Sequence, residues 1–338
     1  MEMKSCCNDS NSSINSPPPK FSITTIAVSS TFVVILLLLT VFGNVFVIMA
    51  FKVFHRMRQV TNCFVASLAV TDILVAVFAM PVWVAYLITG PEWVMDMILQ
   101  KLWTCTDIIV GVASIWHLTF VSIDRYLCII HPMVYPLTMT KPRALVIIIC
   151  IWVYSIVVAS LGSTLWHWRG YTLFVTVMNF LIPAVAICIA YFRIFLTARH
   201  QAKQIKLTIK GKTHRFFLTK ELKATKTLAV VIGAFLVCWS PFFVINLCYY
   251  TSAVTPSPVL VAIAKWAHYG NSCLNPLIYG VMNKDFRRAF KRLLAPYLPV
   301  KMSHSPSTIN GATSQFSKQV DSEPDSPEHA RKQFLTHV

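Results

Sequence analysis

Asp107 and Arg125 are opposite charges set eighteen residues apart in a stretch, Trp103 to Tyr126, that is otherwise apolar enough to lie in a membrane. In a helix that spacing is five turns, so both side chains leave from one face, about 27 Å apart. A charge inside hydrocarbon is expensive and by default marks a functional site. One helix would hold an anion near one membrane face and a cation near the other. The anion can take an ammonium group through a charge-assisted hydrogen bond, which is strong where the dielectric is low. The cation can pair with the adjacent Asp124. A buried structural ion pair is the plainer alternative. Asp72 is a third such charge: a carboxylate with no cationic neighbour in its own stretch, which needs water, an ion or hydrogen-bond partners around it.

The elements that position these residues are long apolar runs. The chain is 338 residues long, 56% hydrophobic and 13% charged, about half the charge of a typical soluble domain. Seven runs stand out: 25–52, 61–88, 98–124, 144–166, 172–196, 224–250 and 257–280, here spans 1 to 7. Each can cross a hydrocarbon core of about 30 Å as a helix. Barrel strands would be shorter and would alternate. The sequence therefore predicts an all-α membrane protein, a seven-transmembrane helix bundle.

The net charge of +17 is unevenly placed. Lys52, Arg56 and Arg58 follow span 1, Lys141 and Arg143 precede span 4, eight Lys or Arg lie between Arg199 and Lys223, and Lys284, Arg287, Arg288, Lys291 and Arg292 follow span 7. The opposite loops hold only Glu92, Asp96, Lys101 and Arg169. The positive-inside rule puts the N-terminus outside and the C-terminus in the cytoplasm. The lipid bilayer accounts for the basic balance better than a nucleic acid does. Asn8 and Asn11 head glycosylation acceptor tripeptides, which suits an extracellular tail. No cleavable signal peptide is visible, and span 1 itself would direct insertion. The expected organisation is an extracellular glycosylated tail (1–24), the seven-transmembrane bundle (25–282), a short amphipathic eighth helix on the inner surface (283–294) with Phe286, Phe290 and Leu293 on one face, and a polar, Ser-rich, disordered tail (295–338). Ten cysteines show no zinc spacing. There is no enzyme constellation either: no paired nucleophile and base, no phosphate loop. A transporter or channel using Asp72 and Asp107 is a rival reading, opposed by the odd span count and the lack of an inverted repeat.

Taken in order, Asn44, Asp72, Asp124-Arg125-Tyr126, Trp152, Pro183, Cys238-Trp239-Ser240-Pro241 and Asn275-Pro276-Leu277-Ile278-Tyr279 resemble the rhodopsin-like (class A) family of G-protein-coupled receptors, one mark per span over residues 25–294. Asp107, with Trp239, Phe242 and Phe243 in span 6 and Trp266 and Tyr269 in span 7, is similar to the biogenic-amine receptors (the adrenergic, dopamine, serotonin and trace amine group). The resemblance implies a plasma-membrane receptor for an extracellular small protonated amine, coupled to a heterotrimeric G protein, with receptor kinases and arrestin acting on the tail. It implies a ligand site at Asp107, Ile108, Gly111, Thr176, Asn179, Phe180, Trp239, Phe242, Phe243, Asn246, Lys265, Trp266 and Tyr269. Aromatic faces there would hold the ligand body and its cation. It implies an allosteric sodium ion at Asp72, Ser114, Asn271, Ser272 and Asn275, the only cofactor expected. It implies an activation switch: Asp124, Arg125 and Tyr126, with Glu221 as a second partner of Arg125, Tyr191 and Tyr279, and the packing trio Pro183, Ile115 and Phe235.

Two departures bear on the ligand. The family's cysteine seven residues before Asp107 is Gln100 here, and no cysteine lies between spans 4 and 5, so the outer disulfide is absent. The other departure is Lys265, four residues before Tyr269 and on its face. It has three readings: it reaches Asp107 and competes with an amine, it binds a carboxylate of an acidic, amino-acid or peptide ligand, or it snorkels outward to water. A retinal-binding lysine is not implied, because its place in opsins is held here by Tyr269. A receptor for a non-amine ligand, or one with high basal activity, is the alternative.

Overall fold

Seven long helices form because each span is a run of 22 or more residues with no backbone partner but its own, and in hydrocarbon a helix is the local way to satisfy every N–H and C=O. The computed structural model describes residues 22–89, 97–165, 169–207, 212–251 and 257–295. The spans run Ile23–Val53, Val60–Thr89, Met97–Ile130, Lys141–Leu165, Arg169–Leu207, Lys212–Thr251 and Pro258–Met282. No strand occurs among the described residues. Several helices outrun the apolar windows by one to three turns, since a helix need not stop where hydrocarbon does. Six spans carry a stretch of high mean hydropathy. Span 7 is more polar because it buries Lys265, His268, Asn271, Ser272 and Asn275.

The bundle is apolar on its outside as well as within. Phe42, Val157, Val185, Phe192 and Val237 are exposed on its outside, where lipid rather than water is the solvent. Polar side chains tie the interior instead. Asn44 donates to the Ser272 carbonyl at 3.1 Å, joining spans 1 and 7, where a Cβ on neighbouring Gly43 would collide with the Pro276 ring. Trp152 donates to Ser67 at 3.1 Å, joining spans 4 and 2. Trp116 donates to Asn179 at 3.2 Å, joining spans 3 and 5. The Tyr171 hydroxyl donates to the Val158 carbonyl at 3.0 Å, joining spans 5 and 4.

Spans 2 and 5 each contain one wide π-helical turn, Val75–Ala79 and Val177–Leu181, just before Pro81 and Pro183. Proline lacks the N–H and crowds the carbonyl four residues back, so the preceding turn opens. Pro241 and Pro276 are carried within continuous helix.

One apolar cluster fills the inner half and includes Phe64, Leu68, Ile115, Phe235, Trp239 and Tyr279. A second, with Val33, Met80, Trp83, Val110 and Tyr269, fills the outer side between spans 1, 2, 3 and 7. A short helix, Tyr135–Thr138, follows span 3. The eighth helix, Lys284–Leu294, is capped by Asn283, whose side chain accepts from the Asp285 and Phe286 amides. Its apolar face packs on the inner cluster, with Phe286 stacked on Tyr279 at 5.2 Å and Phe290 against Phe46. All described residues belong to one compact unit ending at Pro296. Asn8, Asn11, Trp93 and the tail from 296 onward lie outside the described residues, as do the side chains of Glu221 and most of the basic segment 199–223.

Candidate functional site

A cavity of about 320 Å³ opens among spans 3, 5, 6 and 7, within the range of small-molecule sites. Span 3 contributes Asp107, Ile108 and Gly111 to its wall, span 5 Thr176 and Asn179, span 6 Trp239, Phe242, Phe243 and Asn246, and span 7 Lys265. Gly111 lets the ring sit close: a Cβ there would lie 3.0 Å from the Trp239 ring edge, which would have to shift by a few tenths of an ångström. Trp239 forms the floor, with Phe243 at 5.8 Å and Phe235 at 5.9 Å between ring centres.

The charge at the top of span 3 is already paired. Lys265 donates to Asp107 Oδ2 at 3.0 Å, with the two side chains 10% and 15% exposed. The outward, snorkelling reading of Lys265 is therefore corrected. The cause is a cage of ring faces: the ammonium lies 4.9 Å from the centre of Phe242, 5.3 Å from Tyr269, 5.6 Å from Trp103 and 5.8 Å from Trp83. Four π faces and a carboxylate together hold a cation that would otherwise seek water.

Three residues expected in the ligand site do not line the cavity. Trp266 turns to span 1 and packs on Phe32 at 5.2 Å. Phe180 stacks behind Phe243 at 4.3 Å, supporting the wall. Tyr269 is fully buried and meets the site only through its contact with Lys265. Conversely, His268 and Trp103 line the cavity and were not anticipated. His268 is clamped between Trp239 at 4.0 Å and Phe242 at 5.0 Å, and neither ring nitrogen has a hydrogen-bond partner among the described residues. The signal was there: His268 is one turn below Lys265, and Trp103 one turn above Asp107. Gln100 also reaches the rim, as do Tyr171 and Val175.

Below the floor, Ile115, Phe235 and Pro183 are buried. Asp72, Ser114, Asn271, Ser272 and Asn275 are all buried too. Asn275 donates to Asp72 Oδ2 at 2.9 Å, while Asp72 Oδ1 has no partner among the described residues.

At the inner end, Arg125 is folded onto Asp124, with its two donors 2.7 and 3.1 Å from Oδ2. Two partners were not foreseen. Thr61 of span 2 donates to Asp124 and accepts from Arg125. Tyr135 donates to Asp124 Oδ1 at 2.9 Å. Burial and then the nearby Asp124 carboxylate push the Tyr135 hydroxyl up from its ordinary value, so it keeps its proton and remains a donor. Among the described residues, Asp124 and Thr61 hold the Arg125 side chain. Tyr126 stands apart, edge-on to His131 at 5.9 Å. Tyr191 borders the inner cluster and Tyr279 is buried in it; the Tyr279 hydroxyl has no hydrogen-bond partner among the described residues.

This arrangement can bind a small charged molecule from one side and expose an arginine at the other. It matches a known family. The family model described as 7 transmembrane receptor (rhodopsin family) matches residues 43–170 and 161–279. The histamine H2 receptor of Homo sapiens is 34% identical, over 85% of this chain and 84% of its own length. The octopamine receptor beta-1R of Drosophila melanogaster is 32% identical over 78% of this chain and 60% of its own. The alpha-1A adrenergic receptor of Bos taurus is 29% identical over 84% and 71%. The chain belongs to the rhodopsin family of seven-transmembrane G-protein-coupled receptors, which are receptors and not enzymes.

Proposed function

We propose that this receptor sits in the plasma membrane with its N-terminus outside and is activated by a small protonated amine held at Asp107. The observation that carries the reading is a carboxylate on the wall of an aromatic cavity. The names of the relatives, histamine, octopamine and adrenergic receptors, support it. The ligand's preference for one bundle packing shifts the population toward the state that binds a heterotrimeric G protein. Trp239, on the cavity floor and two residues before Pro241, would couple ligand contact to bending of span 6. Release of Arg125 from Asp124 and Thr61 would open the inner face. Receptor kinases and arrestin would act on the Ser-rich tail. The test is Asp107→Asn in cells expressing the chain, read by cAMP and calcium. Amine activation is expected to vanish while surface expression persists; unchanged amine potency would refute the reading.

The middle of the bundle supports a sodium ion. Asp72 is fully buried and one of its oxygens has no hydrogen-bond partner among the described residues, which is costly for a carboxylate and suits a hard cation. Ser114, Asn271, Ser272 and Asn275 would complete the oxygen set. Sodium titration of amine affinity tests this: a sodium effect in the wild type that survives Asp72→Asn would remove the site.

A further inference from the structure

Building on the amine reading, we infer that the ligand brings an acid of its own: an α-amino acid head group, or one with its ammonium and carboxylate equally close, docks against the Asp107–Lys265 pair and matches both charges. A ligand with an ammonium alone meets Lys265 already on the carboxylate, 3.0 Å from Oδ2. If the newcomer displaces Lys265, it leaves a second ammonium among Phe242, Tyr269, Trp103 and Trp83, whose faces repay only part of the lost charge partner. If it shares Asp107, two cations crowd one carboxylate in a low-dielectric site.

A carboxylate beside the ammonium removes the conflict. The ligand ammonium takes Asp107 Oδ1, which has no hydrogen-bond partner among the described residues. Lys265 keeps Oδ2 and turns its remaining N–H bonds to the ligand carboxylate. Positive then meets negative at each contact around a closed ring of four charges. The protein's two charges are only 3.0 Å apart, so the ligand's must be close too, on one carbon or on adjacent carbons. Donors are in excess around the pair: among the described residues, the Trp103 indole N–H, the Tyr269 hydroxyl and the His268 ring have no hydrogen-bond partner. An excess of buried donors favours an anion rather than a second cation. The remaining wall, Trp239, Phe242 and Phe243, takes an aromatic or imidazole side chain.

The test uses matched probes that differ only in the carboxylate: histamine and histidine, tyramine and tyrosine, phenethylamine and phenylalanine. They are applied to cells expressing the full chain, with cAMP and calcium readouts and surface expression measured in parallel. In the wild type the amino acid of at least one pair should exceed its amine in potency by on the order of 100-fold. Lys265→Met should reverse that order, and Lys265→Arg, which keeps the charge, should preserve it. The inference is overturned if the wild type prefers the amine of every responding pair, or if Lys265→Met moves both members of a pair alike. The amine reading beneath it fails separately, if Asp107→Asn leaves potencies unchanged or if no probe acts on the wild type or on Lys265→Met.

Discussion

The Asp107–Lys265 pair makes a stability prediction that needs no ligand. Lys265→Met leaves the Asp107 carboxylate without its counter-charge, against aromatic walls. Removing one partner of a fully buried pair costs ~3–5 kcal/mol. This pair borders the cavity and its side chains are 10% and 15% exposed, so water relieves part of that cost and about 2–3 kcal/mol is expected. In a chain of this size that lowers the denaturation midpoint by roughly 3–5 °C. Asp107→Asn should cost less, about 1–2 kcal/mol, because the lysine stem is flexible and its ammonium still faces four rings. The double variant Asp107→Asn, Lys265→Met removes both charges and should lie within about 1 kcal/mol of the wild type. Thermal denaturation of the purified receptor, followed by tryptophan fluorescence, closes the cycle. A double variant as unstable as the two single variants added together would show that the pair is not coupled, and the site built on it would fall.

Other positions respond more simply. Thr61→Val deletes the hydroxyl that both gives to Asp124 and takes from Arg125; basal G-protein signalling should rise severalfold, and an unchanged basal level removes Thr61 from the clamp. Gly111→Val places two methyl groups against the Trp239 ring and should cost about 1–3 kcal/mol by overpacking, read as a lowered denaturation midpoint; a neutral outcome means Trp239 moves aside freely. Asn44→Ala loses the bond to the Ser272 carbonyl, worth only ~0.6 kcal/mol on average between membrane helices, so a shift of more than about 5 °C would show that the Asn44 contact does more than join spans 1 and 7.

The fold was legible because hydrophobic length and charge asymmetry act over whole spans and tolerate local error. Sites are less forgiving, since one residue along a helix is about 100° of rotation. Trp266 follows Lys265 directly and so points to Phe32 of span 1 instead of the cavity. Phe180 follows Asn179 and falls behind Phe243 in the same way. It also lies in the wide turn Val177–Leu181, where the 3.6-residue period that sequence reasoning relies on no longer holds. Reading the face of Lys265 would have found His268, and reading the face of Asp107 would have found Trp103, each one turn from a charged member of the pair.

Thr61 and Tyr135 had no such signal. They reach Asp124 from another span and from the short helix after span 3, and no periodicity connects them to it. The same limit governs Lys265. Its spacing from Tyr269 fixed a face, but the choice among carboxylate, ligand and water depends on what the other helices place opposite that face. Spans 2, 3 and 6 place Trp83, Trp103 and Phe242 there, and span 3 adds Asp107. A lysine held by three helices cannot leave for water without abandoning four ring faces and its counter-ion at once. Whatever enters this cavity must therefore satisfy Lys265 as well as Asp107, which makes the lysine a determinant of ligand chemistry rather than a spectator at the rim.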